Sequence, residues 1–295
     1  MQLTSEPFCG AIYSYCELLN AHYADRLQSI FLFGSVHRGE ADPLASDLDF
    51  IVVTTDGFSS EDREWEMLRW QHQEAVGENL DSNVIKIDLT RASSRSEILS
   101  ALFPETSNLL QQELILQKVL NGKSIDVHEH TILKAALCAR TLLYDSTLVY
   151  GENLLRNATF PAMDTLWARF YLTAPYFLVQ NTLYPQKIIP INWPFPLQPL
   201  HPDESRSLRK LARVGVICCA CILMHERAFK SWEAAVVLPA VGERYPQWSA
   251  ILGKTDQYCT KTEQSISKNS VLSYLNELFE FMEWTKSTME RSCHK

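Results

Sequence analysis

The chain has 295 residues, 46% of them hydrophobic, enough apolar surface for one large domain or two of ordinary size. Its net charge is −8 and no run of Lys and Arg marks a polyanion footprint, so a nucleic-acid partner is not expected. The longest apolar run, Val214 to Met224, is too short to span a bilayer; no basic region precedes an apolar stretch at the N-terminus, and the eight cysteines are scattered, all of which predicts a reducing, cytoplasmic setting without a membrane partner.

In chain order, Ile12, Tyr15, Leu19 and His22 recur at helical spacing and predict an amphipathic helix over residues 8–28. Two apolar runs, Ile30 to Phe33 and Phe50 to Val53, then flank a polar loop, His37 to Ser46, and read as adjacent strands. The first run ends in Gly34-Ser35. A glycine there lets backbone amides approach a phosphate closely, and the serine hydroxyl adds a donor. After eleven residues the second run opens with Asp47-Leu48-Asp49. Carboxylates at i and i+2 of a strand share a face, and two of them above a buried sheet make an oxygen-rich site suited to Mg²⁺. A phosphate cradle facing a two-carboxylate metal site is the equipment of nucleotidyl transfer.

Thr54 to Ser60 reads as a loop around Gly57, and Ser59-x-x-Asp62 predicts a capped helix running to about Glu78 with Trp65, Leu68, His72 and Ala75 inward. A strand over Val84 to Leu89 follows, which makes the helix a crossover and puts Val84, Lys86 and Asp88 on one strand face. Helices are predicted over 94–120, broken at Pro104 and capped by Gly122, and over 129–140, before a short apolar segment with a Tyr150-Gly151 turn. The expected architecture is an α/β (α+β) domain with a mixed sheet over 1–152, then an all-α domain over 153–295. The latter contains a proline-rich segment, Tyr184 to Pro202, a buried helix over Arg206 to Met224, and a closing helix whose stripe is Leu272, Leu275, Phe279 and Met282. Cys218, Cys219 and Cys221 sit within the buried helix and read as core, not as zinc ligands. His128-Glu129-His130 reads as a helix start.

The Gly34-Ser35, gap, Asp47-x-Asp49 arrangement resembles that of the polymerase-β-like nucleotidyltransferases, with Arg38, Gly39 and Ser46 also where relatives often keep them. The resemblance implies a third carboxylate on the strand beside the Asp-x-Asp strand. Asp88 is the candidate, and in some relatives a glutamate elsewhere on that strand takes the role. Lys86 would reach a phosphate or neutralise the carboxylates. Further along, Asp203-Glu204, Leu211-Ala212-Arg213, Lys230 to Ala235, Leu238-Pro239 and Tyr245-Pro246 resemble the helical domain of bacterial aminoglycoside (streptomycin/spectinomycin) adenylyltransferases. That resemblance implies acceptor binding by Trp193, Asp203 and Glu204, and phosphate binding by a lysine for which Lys230, or the nearby Arg227, stands closest. The family's acid between the tryptophan and the aspartate has no counterpart in Pro194 to Pro202.

Taken together, these readings predict an Mg²⁺-dependent enzyme moving a nucleoside monophosphate, AMP from ATP, onto a hydroxyl of a small cationic acceptor. Asp47, Asp49 and Asp88 are the expected catalytic and metal-binding set for two Mg²⁺ ions. Gly34, Ser35, Arg38, Ser46, Lys86 and Lys230 are expected on the nucleotide, and the acceptor is expected in a cleft between the two domains. Two other readings stand beside this one: adenylylation of a protein Tyr, Ser or Thr, usually the work of much shorter chains, and a non-catalytic nucleotide-binding regulator, against which the intact carboxylate pair argues.

Overall fold

The computed structural model describes residues 8–41, 46–57, 59–79, 87–158, 162–184, 205–260 and 268–291, with 70–79, 87–93, 205–207, 260 and 268 described as backbone. The chain forms two compact units, Met1–Glu105 with Lys134–Pro161, and Thr106–Leu133 with Ala162–Lys295. Against a single expected boundary near Glu152, the stretch Thr106–Leu133 groups with the later helices.

The first unit is built on a four-stranded mixed sheet in the order β3-β2-β1-β4. Strand β1 (Leu27–Phe33) pairs antiparallel with β2 (Leu48–Thr54) and with β4 (Ser146–Gly151), while β2 pairs parallel with β3 (Ile87–Ser94). Helix α3 (Ser60–Asn79) makes the crossover that a parallel pair requires. β1 and β2 read as continuous apolar runs because both faces of the sheet are covered. Ile30, Leu32, Leu48, Phe50 and Val52 pack with Ile12, Tyr15 and Leu19 of helix α1 (Phe8–Tyr23). Phe31, Phe33, Ile51 and Val53 pack on the other face with Ile98 and Leu102 of α4 (Arg95–Leu102) and with Cys138, Ala139 and Leu142 of α6 (Val127–Tyr144). The ten apolar residues of the two strands are all buried. At roughly 1.5–3 kcal/mol for each large side chain, they set the sheet's position far more strongly than any polar group at its end.

Several element limits differ from those the sequence predicts. Helix α1 stops at Tyr23, not near residue 28; Ala24 takes a left-handed φ of 45°, a 3₁₀ turn follows, and β1 starts at Leu27. Local propensity allows the helix to continue, but pairing of Leu27 with Thr54 captures the chain first. Strand β3 runs to Ser94, past the predicted end at Leu89, because ladder pairing of Ile51 with Arg91 through Thr54 with Ser94 needs only backbone. Ser94 then caps α4, exchanging hydrogen bonds with Glu97, a capping box the sequence displays as Ser-x-x-Glu. On α3, Trp65 packs on the core but Leu68 is exposed, which corrects its inward assignment; the side chains of His72 and Ala75 lie outside those described.

In the second unit, helix α8 (Ser205–His225) is the axis around which α7 (Thr165–Leu183), α9 (Ala234–Arg244), α10 (Ser249–Thr260) and α11 (Lys268–Arg291) pack, and α5 (Thr106–Leu120) packs on α7. Gly215 gives α8 a close approach: an added Cβ would come within 2.9 Å of the Thr255 side chain, whose hydroxyl lies 2.9 Å from the Tyr274 hydroxyl. Cys218, Cys219 and Cys221 are fully buried and burial pushes their thiols up, as core packing does. At the start of α6 the Glu129 amide donates to the Asp126 carboxylate and the Asp126 amide to the Glu129 carboxylate, the expected helix-start role. The buried stripe of α11 is Val271, Tyr274, Leu275, Leu278, Phe281 and Met282. Leu272 and Phe279, predicted inward, are half-buried, since α11 packs on both α7 and α8 and the stripe shifts toward Tyr274. Among the described residues no helix is long and apolar enough to cross a membrane.

Asp62 closes the first unit's polar edge. It is 2% exposed, accepts from Arg26 at 2.8 and 3.1 Å and from the Ser59 amide at 2.8 Å, and lies 3.1 Å from His22 Nε2. Burial alone would raise its carboxyl, but the Arg26, Ser59 and His22 hydrogen bonds outweigh it and hold the group well below the usual carboxylate range. A depressed folded pKa gives stability that is complete above the unfolded value near 4 and is lost as pH falls from there toward the folded value. Asp62→Asn should therefore lower stability by about 2 kcal/mol at neutral pH, Arg26 being partly solvated. The gap to the wild type should narrow below about pH 4. Urea melts across that range check both.

Candidate active site

The end of the sheet where β1 finishes and β2 begins gathers the signature residues. Backbone register places Phe33 opposite Asp49, Asp49 beside Asp88, and Phe33 opposite Ser146, one row across all four strands. Alternation along β2 puts Asp49 on the face of Ile51 and Val53, half-buried at the margin of the apolar cluster they belong to. Asp47, one residue ahead of β2, is exposed.

Immediately after β1 the chain turns at Gly34, whose φ is +77°. That backbone region disfavours any residue with a Cβ. Space forbids one as well: a Cβ at position 34 would overlap Oδ2 of Asp49 and stand 3.1 Å from its Cγ. The glycine is thus required twice, by its own torsion and by the carboxylate lying against it. Ser35 and Val36 continue into α2 (Gly34–His37), a single turn closed by the Arg38 amide to the Gly34 carbonyl at 3.2 Å and the Glu40 amide to the Ser35 carbonyl at 2.9 Å. Val36 is 1% exposed and joins the α1-facing core, so the turn is pinned through its apolar residue. Ser35 is half-buried beside the Gly34–Asp49 contact.

The other expected site residues fall into distinct places. Asp88 is beside Asp49 by backbone register, and its side chain is outside those described. Ser46 precedes Asp47 and is half-buried. Arg38 follows the turn, where its guanidinium is engaged by Glu40 at 2.8 Å and Asp145 at 2.6 Å, so its charge is matched within the protein. Lys230 is exposed, in the segment before α9 of the second unit. Lys86, Trp193, Asp203 and Glu204 lie outside the described residues, as does most of the loop between Ala41 and Ser46. What sequence reasoning missed is Asp145, whose partnership with Arg38 joins positions 107 apart and leaves no local pattern.

The donor set suits a hard divalent cation. Asp47 and Asp49 supply carboxylate oxygens only, and the missing side chain at Gly34 lets the Asp49 carboxylate lie against the turn. Gly34→Ala should lower stability by about 1–2 kcal/mol, the usual cost of forcing a Cβ into the left-handed region. If the overlap with Asp49 adds to that strain, the Gly34→Ala/Asp49→Ala double variant should recover part of the loss, a non-additivity that thermal melts of the four proteins read directly.

Residues 19–145 match the family model described as a nucleotidyltransferase domain, a range that contains the turn, both strands and Asp145. No curated protein sequence matches the chain. Among solved structures, that of spectinomycin adenyltransferase AAD(9) from Enterococcus faecialis with ATP and spectinomycin aligns over 93% of this chain and 98% of its own, at 19% identity and a TM-score of 0.47. A likeness of that degree fixes neither donor nor acceptor. The family match and the Gly34–Asp49 geometry inside it give the conclusion: residues 19–145 are a nucleotidyltransferase domain, and the protein is a transferase enzyme.

Proposed function

We propose that the protein transfers a nucleoside monophosphate, AMP from ATP, to a hydroxyl group of a small acceptor, with Asp47, Asp49 and Asp88 holding Mg²⁺. The observation that supports this reading is the contact of Gly34 with the Asp49 carboxylate, which sets the Gly34–Ser35 turn directly against that acid. Bound Mg²⁺ would supply charge neutralisation on the triphosphate and on the departing pyrophosphate.

The chain's own residues have the remaining tasks. The Gly34–Ser35 turn would hold the β and γ phosphates, since a glycine lets phosphate oxygens come close to backbone amides and the serine hydroxyl adds a donor. Ser46, ahead of Asp47, would add a further donor. Asp88, level with Asp49 on the neighbouring strand, is the natural base for the acceptor hydroxyl if that proton lies within hydrogen-bond reach. Lys86 and Lys230 are the cations proposed for the phosphates. Nothing in this set requires a strongly shifted side chain; positioning and charge neutralisation supply most of the acceleration.

The acceptor proposal rests on the sequence resemblance alone. An aminoglycoside would bring ammonium groups for Asp203 and Glu204 and a sugar face for Trp193. The acidic chain, at net −8, suits such a cation.

Labelled ATP with Mg²⁺ and an aminoglycoside panel, followed by separation of small-molecule from protein label, tests donor and acceptor together; label appearing on protein would favour adenylylation of a polypeptide instead. Asp49→Asn and Asp47→Asn should each lower turnover by at least about a hundredfold, as losses of charge at a transition state do. Circular dichroism and melting temperature should be close to wild type, because the ten buried apolar residues of β1 and β2 hold the sheet. Near-normal turnover of Asp49→Asn with Mg²⁺ would remove the basis of the reading.

A further inference from the structure

Arg38 is a cation that the sequence assigns to the nucleotide, yet its side chain is only 10% exposed and is gripped from two directions. Its Nε donates to Glu40 Oε2 at 2.8 Å, and its Nη1 donates to Asp145 Oδ2 at 2.6 Å. Asp145 joins α6 to β4, immediately before Ser146, the residue that pairs with Phe33. Next to this grip, His37 Nδ1 lies 2.9 Å from the Thr147 hydroxyl. Two consecutive side chains of the turn therefore reach the same start of β4.

The turn needs such support. Helix α2 has four residues, far below the length at which a helix holds itself. It lies between two positive-φ glycines, Gly34 at +77° and Gly39 at +68°, so the backbone on either side has unusual freedom. Val36 fixes one side by apolar burial. The opposing restraint comes from residues 37 and 38. An exposed ion pair would restrain little, but the Arg38–Asp145 pair is 10% and 13% exposed, which makes it directional and hard to replace with water. Because Gly34 abuts Asp49, a shift of the turn by a fraction of an ångström changes the space between phosphate cradle and metal-binding acid.

We propose that Asp145 is a positioning residue for the donor phosphates: through Arg38, and with Thr147 acting through His37, it fixes the Gly34–Ser35 turn against Asp49. The inference rests on the nucleotidyl-transfer reading above, and it makes Arg38 a strut of the site in place of a phosphate ligand. Asp145 acts through another side chain and is given no contact with the nucleotide.

The test compares Asp145→Asn, Asp145→Glu, Arg38→Lys and Thr147→Val with Glu152→Gln in the full chain. Glu152 pairs with Arg95 beside Gln28, at the opposite end of β1, and serves as the ion-pair control. Calorimetry gives the affinity for ATP with Mg²⁺, steady-state kinetics separate the KM for ATP from kcat, and melting gives stability. Asp145→Asn and Arg38→Lys should each weaken ATP binding by about tenfold, as losses of supporting-shell partners do. Their combination should be no worse than either alone, because both remove one strut. Asp145→Glu should recover part of the affinity, Thr147→Val should weaken it without a charge change, and Glu152→Gln should bind ATP like the wild type. A folded Asp145→Asn that melts lower but binds ATP as the wild type does would overturn the inference, leaving a merely structural pair. Should Asp145→Asn fail to fold, unchanged ATP affinity in Thr147→Val and Arg38→Lys would overturn it equally. If the wild-type protein binds no ATP with Mg²⁺, the transfer reading fails and this inference with it; wild-type binding with unaffected variants sinks this inference alone.

Discussion

The contact between Gly34 and the Asp49 carboxylate is the constraint on which the geometry of the turn depends. A carboxylate held half-buried at a sheet's end is costly unless its position is settled by something stiffer than itself. Here that something is the pairing of Phe33 with Asp49, the last pair of an antiparallel ladder whose every apolar side chain is buried. The sheet carries the acid, the acid requires a residue without a Cβ opposite it, and that residue's left-handed torsion starts the turn that follows. Each step leaves the next little freedom, so the Gly34–Ser35 turn and the Asp49 carboxylate are brought together by the fold itself.

A single helical turn cannot hold its own shape, so the polar groups around it matter more than their number suggests. Val36 reaches into the α1-facing core while His37 and Arg38 reach toward Thr147 and Asp145. The turn is thereby tied to both ends of the unit's sequence, to α1 and to the first residues of β4. The opposite end of the sheet is closed in a different way, by Arg95 with Glu152 and Gln28 and by the Arg26–Asp62–Ser59 cluster. Ion pairs at that end fasten edges; those at the turn aim a backbone.

The second unit follows simpler rules. Helix α8 is buried almost all round because four other helices pack on it, and Gly215 admits Thr255 and Tyr274 close to its backbone. Its cysteines are small apolar fillers in that packing, held as thiols by burial.

The sequence by itself determined the motif residues and the two central strands that bear them. Gly34-Ser35 and Asp47-x-Asp49 could be read because spacing along a chain becomes spacing along a strand, where alternation is fixed by the backbone. The Ser59–Asp62 cap and the α3 crossover were legible for the same reason, being local. What tertiary structure decided is everything that depends on partners far away in sequence. The end of α1 at Tyr23 is set by strand pairing at Leu27, and β3 extends through polar residues because β2 offers it a ladder. Leu68 faces water although its spacing looks inward, and the α11 stripe turns toward Tyr274, since periodicity gives a helix a face without saying where its neighbours stand. Arg38 shows the limit most clearly. The family resemblance alone suggests a role for it, and only the folded chain brings to it Asp145, 107 residues away, because an ion pair needs proximity in space and leaves no mark on spacing in sequence.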